Sequence, residues 1–445
     1  MKKILALLLI ISFIMSLFAA CSKGENPTQS TQPSGETPSA TEPQPSESLS
    51  YGQMAGDMLE QFYRFYWMED THGGHFRHIH AGEISENLTM IWETAMLMLA
   101  MENYYHATAD QDTRDKIAQE WAYLQQNFSY EQMVSNCGGT PNLAADDTAW
   151  SALLYISVYR VLGDETALDY TREVILNAYD YYKDGDIANS MWYCDERQYN
   201  GDQWKSLYCA GFLLAALEYC DATEGTEKYS QELYDQTMAL YAWMEENLRR
   251  SGSKTFEQGL QNGMSYTVSV NDGLYWCDYN WDREGRDERF GPDGGLRPQN
   301  IYFCDSVSFL FGNMAMAAVN MKLYERSGEE KFLNSAMETT ASIAEVYTTK
   351  DGTYLNDRDI NTNAAALYYY VSYVLSSDAV PKEAKAQLAT TASVIYNNCR
   401  EDNAVYFSYD WIKDAGRFTT NFVTNSTTVA MACGAAYAEK LGILE

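Results

Sequence analysis

The chain has 445 residues, a hydrophobic content of 46% and a formal net charge of −31 at pH 7. A field of that sign repels nucleic acid and acidic polymers, so we expect no nucleic-acid partner, whereas neutral glycans remain allowed.

The first twenty residues predict a secretion signal. Lys2 and Lys3 are followed by the apolar run Ile4–Leu17, which is short for a spanning helix. The next residues, Phe18-Ala19-Ala20-Cys21, resemble a lipobox, although Phe18 stands where leucine is usual. We therefore expect acylation of Cys21 and anchoring of the protein to the membrane at the bacterial cell surface. The alternative is an ordinary cleaved signal with a chance cysteine.

The segment 21–50 is predicted to be a disordered tether. Residues 22–50 contain five of the nine prolines, and Ser, Thr, Gln and Glu fill most of the rest. Such a composition cannot bury enough apolar surface to fold. In an extended form of about 3.1 Å per residue it could reach roughly 90 Å from an anchor. The organisation predicted is a signal peptide at 1–20, the tether, and a single catalytic domain at 51–445.

The domain 51–445 contains a repeat in which a helix that is apolar all round precedes an amphipathic helix. The first type is typical of buried helices and the second of helices with one solvent face. The predicted buried helices are 87–106, 147–162, 206–222, 305–326, 364–375 and 421–441. In three hairpins a tyrosine lies four residues before the turn residue, and the pairs are Tyr105 and Ala109, Tyr159 and Gly163, and Tyr324 and Gly328.

Six such pairs, with 51–68 as the sixth outer helix, predict an all-α fold. Neighbouring pairs must stack to cover their apolar faces, either as an open solenoid or as a closed (α/α)6 toroid. We expect the toroid, with parallel inner helices whose N-termini meet at one end. The loops leading into the inner helices are long, which places a cleft at that end; they are 127–146, 183–205, 249–304, 348–363 and 399–420.

Asp146 and Asp147 are consecutive carboxylates at the start of the second predicted inner helix. Hydrolysis of a glycosidic bond needs two carboxyl groups, one as proton donor and one as nucleophile or base. A helix N-terminus stabilises one ionised carboxylate, and like charge raises the pKa of the other. The alternative is a helix cap, because Asp is favoured there. The buried character of the helix and its start at the cleft favour the catalytic interpretation.

The block Asp146-Asp147-Thr148-Ala149-Trp150, with the Gly163-Asp164 turn and the toroid, resembles glycoside hydrolase family 76, the endo-α-1,6-mannanases. Weaker similarity extends over roughly 87–440. The resemblance implies a retaining mechanism on α-1,6-mannan without a cofactor, with Asp146 as nucleophile and Asp147 as general acid/base. The chain departs from the family where Tyr-Asn-Gln-Gly is usual, since it has Phe303-Cys304-Asp305-Ser306. That departure leaves the exact glycan open.

Aromatic residues near the predicted cleft are candidates for stacking on sugar rings. We expect Trp150, Trp192, Tyr193 and Trp276 to form substrate-binding walls, although core packing is an equal alternative for each of them. Asp278 lies in a cleft loop and is a candidate for binding a sugar hydroxyl.

Four of the five histidines, His72, His75, His78 and His80, fall within nine residues. No acidic or cysteine ligand stands at a matching spacing, so we expect no metal site. The eight cysteines beyond Cys21 form no C-x-x-C pair, and their disulfide state stays open.

Two other functions fit parts of the sequence. One is a non-catalytic glycan-binding surface lipoprotein, against which the acid pair argues. The other is a different (α/α)6 carbohydrate-active enzyme, either a lyase or an unsaturated-uronide hydrolase. Such enzymes act on acidic sugars, which the negative charge of this chain disfavours.

Overall fold

The structure is a computed structural model. It describes residues 49–71, 73–77, 79–80, 83–84, 91–135, 145–182, 204–251, 253–257, 265–269, 272–275, 278–280, 310–355, 365–401, 407–408, 410–416 and 418–444. The chain divides into two units, Met1–Ser48 and Leu49–Glu445. The predicted signal, Cys21 and nearly all of the tether therefore lie outside the described residues.

Over the described part of the chain, twelve helical segments alternate between an inner and an outer layer. The inner helices are α2 (Ile91–Thr108), α5 (Ala145–Leu162), α7 (Ala210–Thr223), α9 (Leu310–Ser327), α11 (Leu367–Tyr369) continued by the π-helical segment Tyr370–Leu375, and α13 (Phe422–Lys440). The outer helices are α1 (Tyr51–Tyr66), α3 (Gln111–Asn127), α6 (Glu165–Tyr182), α8 (Gln231–Asn247), α10 (Glu330–Val346) and α12 (Lys382–Asn398). A short helix, α4 (Tyr130–Ser135), follows α3.

The inner helices form a closed ring. Each packs against the next in chain order, and α13 packs against α2 to complete the circle. Every inner helix after α2 is reached by way of an outer helix, so the inner helices run in the same direction. The predicted all-α (α/α)6 toroid is confirmed, and the open solenoid is excluded. One difference concerns the fifth inner helix, which is only one α-turn followed by a π-helical segment rather than a regular helix.

Local sequence determines where several helices begin. Ser50 and Gln53 form a reciprocal capping box at α1, with hydrogen bonds of 3.1 and 2.9 Å. The side chain of Asp110 accepts from the backbone N–H of Thr113 at α3, and Asn421 caps α13 in the same way. Each cap satisfies one of the backbone donors that a helix start leaves without a partner.

The tyrosine repeat noted in the sequence marks three turns of one geometry. The N–H groups of Ala109, Gly163 and Gly328 donate to the carbonyls of Tyr105, Tyr159 and Tyr324 at 2.7–2.8 Å. All three turn residues have positive φ, of 56°, 74° and 70° respectively. This is the left-handed helix ending that usually requires glycine, and Ala109 adopts it with a Cβ atom.

The described part of the chain also contains short antiparallel pairs of strands. They are β1 (Trp67–Asp70) with β2 (Gly73–Phe76), β3 (Ile79–His80) with β4 (Glu83–Ile84), β5 (Trp204–Ser206) with β8 (Asp278–Asn280), β6 (Ser253–Glu257) with β7 (Ser265–Ser269), and β9 (Phe407–Ser408) with β10 (Phe418–Thr419). One turn of 3₁₀ helix, Leu207–Cys209, connects β5 to α7.

Alternating charges connect four inner helices near their C-terminal ends. We call Glu102, Arg160, Glu218 and Lys322 the charged ring; they come in turn from α2, α5, α7 and α9. Arg160 contacts Glu102 at 2.6 Å and Glu218 at 3.2 Å, and Lys322 contacts Glu218 at 2.5 Å. The hydroxyl of Tyr373, on the fifth inner helix, donates to Glu218 at 2.7 Å. Opposite charges therefore pair at the end of the ring away from the inner-helix N-termini.

The charges and hydrogen bonds around Glu102 together have a larger effect than burial on its pKa. Burial alone would raise the pKa of this fully buried carboxyl, yet the guanidinium of Arg160 and its hydrogen bonds hold the pKa at about 2. The charged ring thus remains ionised throughout the neutral range.

In the described part of the chain, every helix is too short or too polar to cross a membrane.

Candidate active site

Asp146 and Asp147 occupy the first turn of the inner helix α5, which begins at Ala145. The helix therefore starts two residues before the predicted start at Asp147, a normal uncertainty for a helix end. Asp146 is 8% exposed, and Asp147 is half-buried. Two carboxyl groups thus stand at the end of the ring that receives the long loops.

The two aspartates are in different electrostatic surroundings. The backbone N–H of Asp147 donates a hydrogen bond of 3.0 Å to Oδ1 of Asp146. This contact, together with the positive end of the helix dipole, stabilises the ionised form of Asp146. Burial, followed by the charges of Asp146 and Glu93, raises the pKa of Asp147 well above its ordinary value. The pair can therefore hold one negative charge and one proton at neutral pH.

Glu93 is a third carboxylate near the acid pair, and its role was not predicted from the sequence. It lies in the first turn of α2, the inner helix that packs directly against α5, and its charge acts on Asp147. The sequence contained one signal, an acidic residue within an otherwise apolar inner helix. The predicted start of that helix at 87 placed Glu93 deeper in the helix and so concealed its position beside the acid pair.

The structure gives Trp150 a core position. Its side chain is 1% exposed and packs edge-on against Phe311, with ring centroids 4.4 Å apart. A sugar-stacking wall must present a ring face to the cleft, and this indole is enclosed by α5 and α9. Core packing, the alternative that the sequence left open, is the role that Trp150 has here.

The remaining predicted substrate contacts are only partly described. Trp192, Tyr193 and Trp276 lie outside the described residues. Asp278 begins β8, and its backbone pairs with Ser206 at the end of β5, four residues before α7 begins. The pairing brings the Asp278 segment to the N-terminal end of an inner helix, where a cleft residue is expected, while the Asp278 side chain itself lies outside the description.

Comparison with solved structures identifies the fold. No protein-family model matches the sequence, and no curated protein matches it either. The α-1,6-mannanase of Salegentibacter sp. HEL1_6, a family 76 glycoside hydrolase, aligns with a TM-score of 0.63 over 87% of this chain and 100% of its own, at 15% identity. The family 76 α-mannanase of Bacteroides thetaiotaomicron aligns with a TM-score of 0.63 over 88% and 96%, at 14% identity. This chain has the family 76 fold.

The same fold extends beyond family 76 at lower similarity. A possible family 105 member from Salmonella enterica aligns with a TM-score of 0.53 over 89% of this chain and 96% of its own, at 12% identity.

The Salegentibacter structure is an inactive variant in which two consecutive aspartates are replaced by asparagine, in complex with α-1,6-mannotriose. Consecutive aspartates are therefore a feature that this chain shares with that enzyme.

A cavity of about 230 Å³ lies beside the start of α5. Its lining includes Thr148, the residue after the acid pair, and polar groups from the end of α6; the lining residues are Val134, Ser135, Thr148, Asn177, Ala178, Asp180 and Tyr181. Amide, carboxylate and phenol groups of this kind can hydrogen-bond a sugar, so the cavity extends the polar surface around the site.

Among the described residues, no group of three or more His, Cys, Asp or Glu side chains is arranged to hold a metal ion. Of the histidine cluster, His75 stacks on Tyr123 with ring centroids 4.1 Å apart, and its Nδ1 lies 3.2 Å from the carbonyl oxygen of Gly73. His72 and His78 lie outside the described residues, as does the side chain of His80. Cys220, Cys399 and Cys433 are buried free thiols, and Cys209 is buried as well.

Proposed function

We propose that the protein is a retaining glycoside hydrolase that cleaves α-1,6-mannosidic bonds in mannan. The observation that carries the proposal is the pair of consecutive aspartates in the first turn of α5, where burial and the charge of Asp146 raise the pKa of Asp147 and the N–H of Asp147 donates to Asp146. A retaining glycosidase needs these two states at once, one carboxylate as nucleophile and one carboxylic acid as proton donor.

Asp146 has the environment of the nucleophile. Its carboxylate accepts the N–H of Asp147 and lies at the positive end of the α5 dipole. In the first step an oxygen of Asp146 attacks the anomeric carbon while the bond to the leaving oxygen breaks. Asp147 gives its proton to that oxygen, so the leaving sugar departs with a neutral hydroxyl and a glycosyl ester remains on Asp146.

Asp147 then changes role from acid to base. It takes a proton from a water molecule whose oxygen attacks the anomeric carbon, and the ester bond to Asp146 breaks. The sugar leaves with the same anomeric configuration as the substrate, and Asp146 and Asp147 return to their starting protonation states.

Two observations support a neutral mannan as substrate. The Salegentibacter enzyme is an α-1,6-mannanase, and its inactive variants are in complex with α-1,6-mannotriose and α-1,6-mannotetrose. The net charge of −31 disfavours acidic polysaccharides and so argues against a lyase or an unsaturated-uronide hydrolase. We further propose that acylated Cys21 anchors the protein to the bacterial membrane, with the segment 21–50 as a tether at the cell surface.

Product analysis with debranched yeast mannan tests the proposal. We expect new reducing ends whose first-formed anomer is α, as followed by proton NMR at early time points. Asp146→Asn and Asp147→Asn should each abolish cleavage with the fold retained. Asp110→Asn is a matched control, because Asp110 also occupies a helix start but at the opposite end of the toroid.

Three outcomes contradict the proposal. Binding of mannan without new reducing ends indicates a glycan-binding protein. Cleavage of pectic or glycosaminoglycan fragments in preference to mannan indicates a different toroid enzyme. Full activity of either aspartate variant refutes the assignment of the acid pair.

A further inference from the structure

Glu93 and Asp147 occupy equivalent places on two neighbouring helices. Glu93 is the third residue of α2 (Ile91–Thr108), and Asp147 is the third residue of α5 (Ala145–Leu162). The two helices are adjacent and parallel in the inner ring, so their first turns lie side by side. Glu93 is half-buried at this position. An acidic side chain thus stands beside the proposed acid/base from a different element of the fold.

Among the described residues, the carboxylates whose charges act on Asp147 are Asp146 on its own helix and Glu93 on α2. Both favour the protonated form of Asp147, and burial acts in the same direction. The two carboxylates differ in one respect, because Asp146 loses its charge when it forms the ester in the proposed reaction and Glu93 keeps its charge.

We propose that Glu93 is a positioning residue whose fixed negative charge keeps the proton on Asp147 and maintains the basicity of Asp147 after Asp146 has been esterified. This inference rests on the proposed function.

The charges around Asp147 change between the two steps of the proposed reaction. Before reaction, Asp146 and Glu93 together oppose ionisation of Asp147, which therefore holds the proton it must give to the leaving oxygen. In the glycosyl ester Asp146 is neutral, and one of the two opposing charges is gone. Asp147 becomes a carboxylate at that moment, and Glu93 remains to make it a stronger base toward the attacking water. Without Glu93, a smaller fraction of Asp147 would hold its proton in the first step, and Asp147 would be a weaker base in the second.

The pH dependence of kcat/KM on α-1,6-mannotetraose tests this inference. The basic limb reports loss of the Asp147 proton in the free enzyme. In Glu93→Gln we expect this limb to move to lower pH by about 0.5–1 unit, the size expected for one partly screened charge at close range. Glu93→Asp keeps the charge and should leave the limb near its wild-type position. Glu383→Gln removes an acidic residue from the first turn of the outer helix α12 and serves as the matched control.

A second measurement separates this inference from the proposed function. In the full chain labelled with ¹³C-aspartate, the carboxyl resonance of Asp147 is the one lost in Asp147→Asn. We expect its titration midpoint to fall in Glu93→Gln, whether or not the protein cleaves mannan. If the wild type cleaves no glycan, the proposed function fails while the midpoint still decides the role of Glu93. A midpoint and a basic limb that stay within about 0.2 unit of wild type in Glu93→Gln overturn the inference.

Discussion

Arg160 on α5 and Glu102 on α2 form a bidentate ion pair between the first two inner helices. Nε and Nη2 of Arg160 lie 2.6 and 3.0 Å from the two carboxylate oxygens of Glu102, which is completely buried. The same guanidinium lies over the ring of Tyr368, 4.2 Å from its centroid. Parallel contacts of this kind fix the relative orientation of the groups as well as their separation. The pair therefore fixes the register of α2 against α5 at the end opposite the acid pair.

We predict that Arg160→Met lowers the free energy of unfolding by about 3–5 kcal/mol, because Glu102 is then buried without its partner. Urea unfolding at pH 7 measures the change. The double variant Arg160→Met with Glu102→Gln should recover part of the loss, since it leaves no unpaired charge. Arg64→Met is the control for an exposed pair with Glu60 and should alter stability by less than about 0.5 kcal/mol. Equal effects of Arg160→Met and Arg64→Met would contradict the importance of the buried pair.

We predict that Asp147→Asn loses activity by about 10²–10⁴-fold or more and yet stabilises the fold near pH 8. The pKa of Asp147 in the folded state is raised, so the stability associated with its proton is fully present only at acid pH. That stability is lost as the pH rises from about 4 toward the folded-state pKa. Scanning calorimetry should show little gain for the variant at pH 4 and a gain that grows by up to about 1.4 kcal/mol per pH unit toward pH 8. A variant that is less stable than wild type at pH 8 would contradict a raised pKa of Asp147 in the folded protein.

We predict a second pH-dependent contribution to stability at Glu120, on the outer helix α3. This fully buried carboxyl accepts the N–H of Phe76 at 2.7 Å, and its Oε1 has no hydrogen-bond partner among the described residues. Burial raises its pKa to about 8, so the folded protein keeps a proton that the unfolded chain has already lost. The stability advantage of Glu120→Gln over wild type should therefore grow by about 1.4 kcal/mol per pH unit between about pH 5 and 8. Urea unfolding at several pH values measures this slope, and parallel curves for the two proteins would exclude a buried protonated Glu120.

We predict opposite effects for two substitutions in turns of the same geometry. Ala109→Gly should stabilise the protein by about 0.5–1 kcal/mol, because it relieves a Cβ atom at a φ of 56°. Gly163→Ala should destabilise it by a similar amount, because it introduces that strain at a φ of 74°; a Cβ there has no neighbour within 4 Å, so crowding does not contribute. Thermal unfolding of the two variants checks the signs, and equal signs would contradict the explanation.

The hydrophobic pattern predicted the architecture because burial of each inner helix is a local property of the sequence. A helix such as α7, which is apolar on all faces, can only lie inside a layer of other helices. The acid pair could be selected because Asp146 and Asp147 are consecutive and begin such a helix. These features require no knowledge of how one helix is aligned with the next.

Contacts between helices could not be predicted, since they depend on register. Glu93 reaches the electrostatic surroundings of Asp147 because the helices α2 and α5, which carry the two residues in their first turns, pack against each other. Arg160 and Glu102 are 58 residues apart, and nothing in the periodicity indicates that two charges in apolar helices face each other. The role of Trp150 depended in the same way on which neighbour its face of α5 meets, and that neighbour is Phe311.

The toroid places repulsion and attraction at opposite rims. The carboxylates at the N-terminal rim oppose one another, whereas the charged ring at the C-terminal rim joins four helices through alternating charges. With a rise of 1.5 Å per residue, an inner helix of 18 residues separates the two rims by about 27 Å. In the proposed glycoside hydrolase, changes at the N-terminal rim that alter the glycan recognised therefore leave the ion pairs at the C-terminal rim in place.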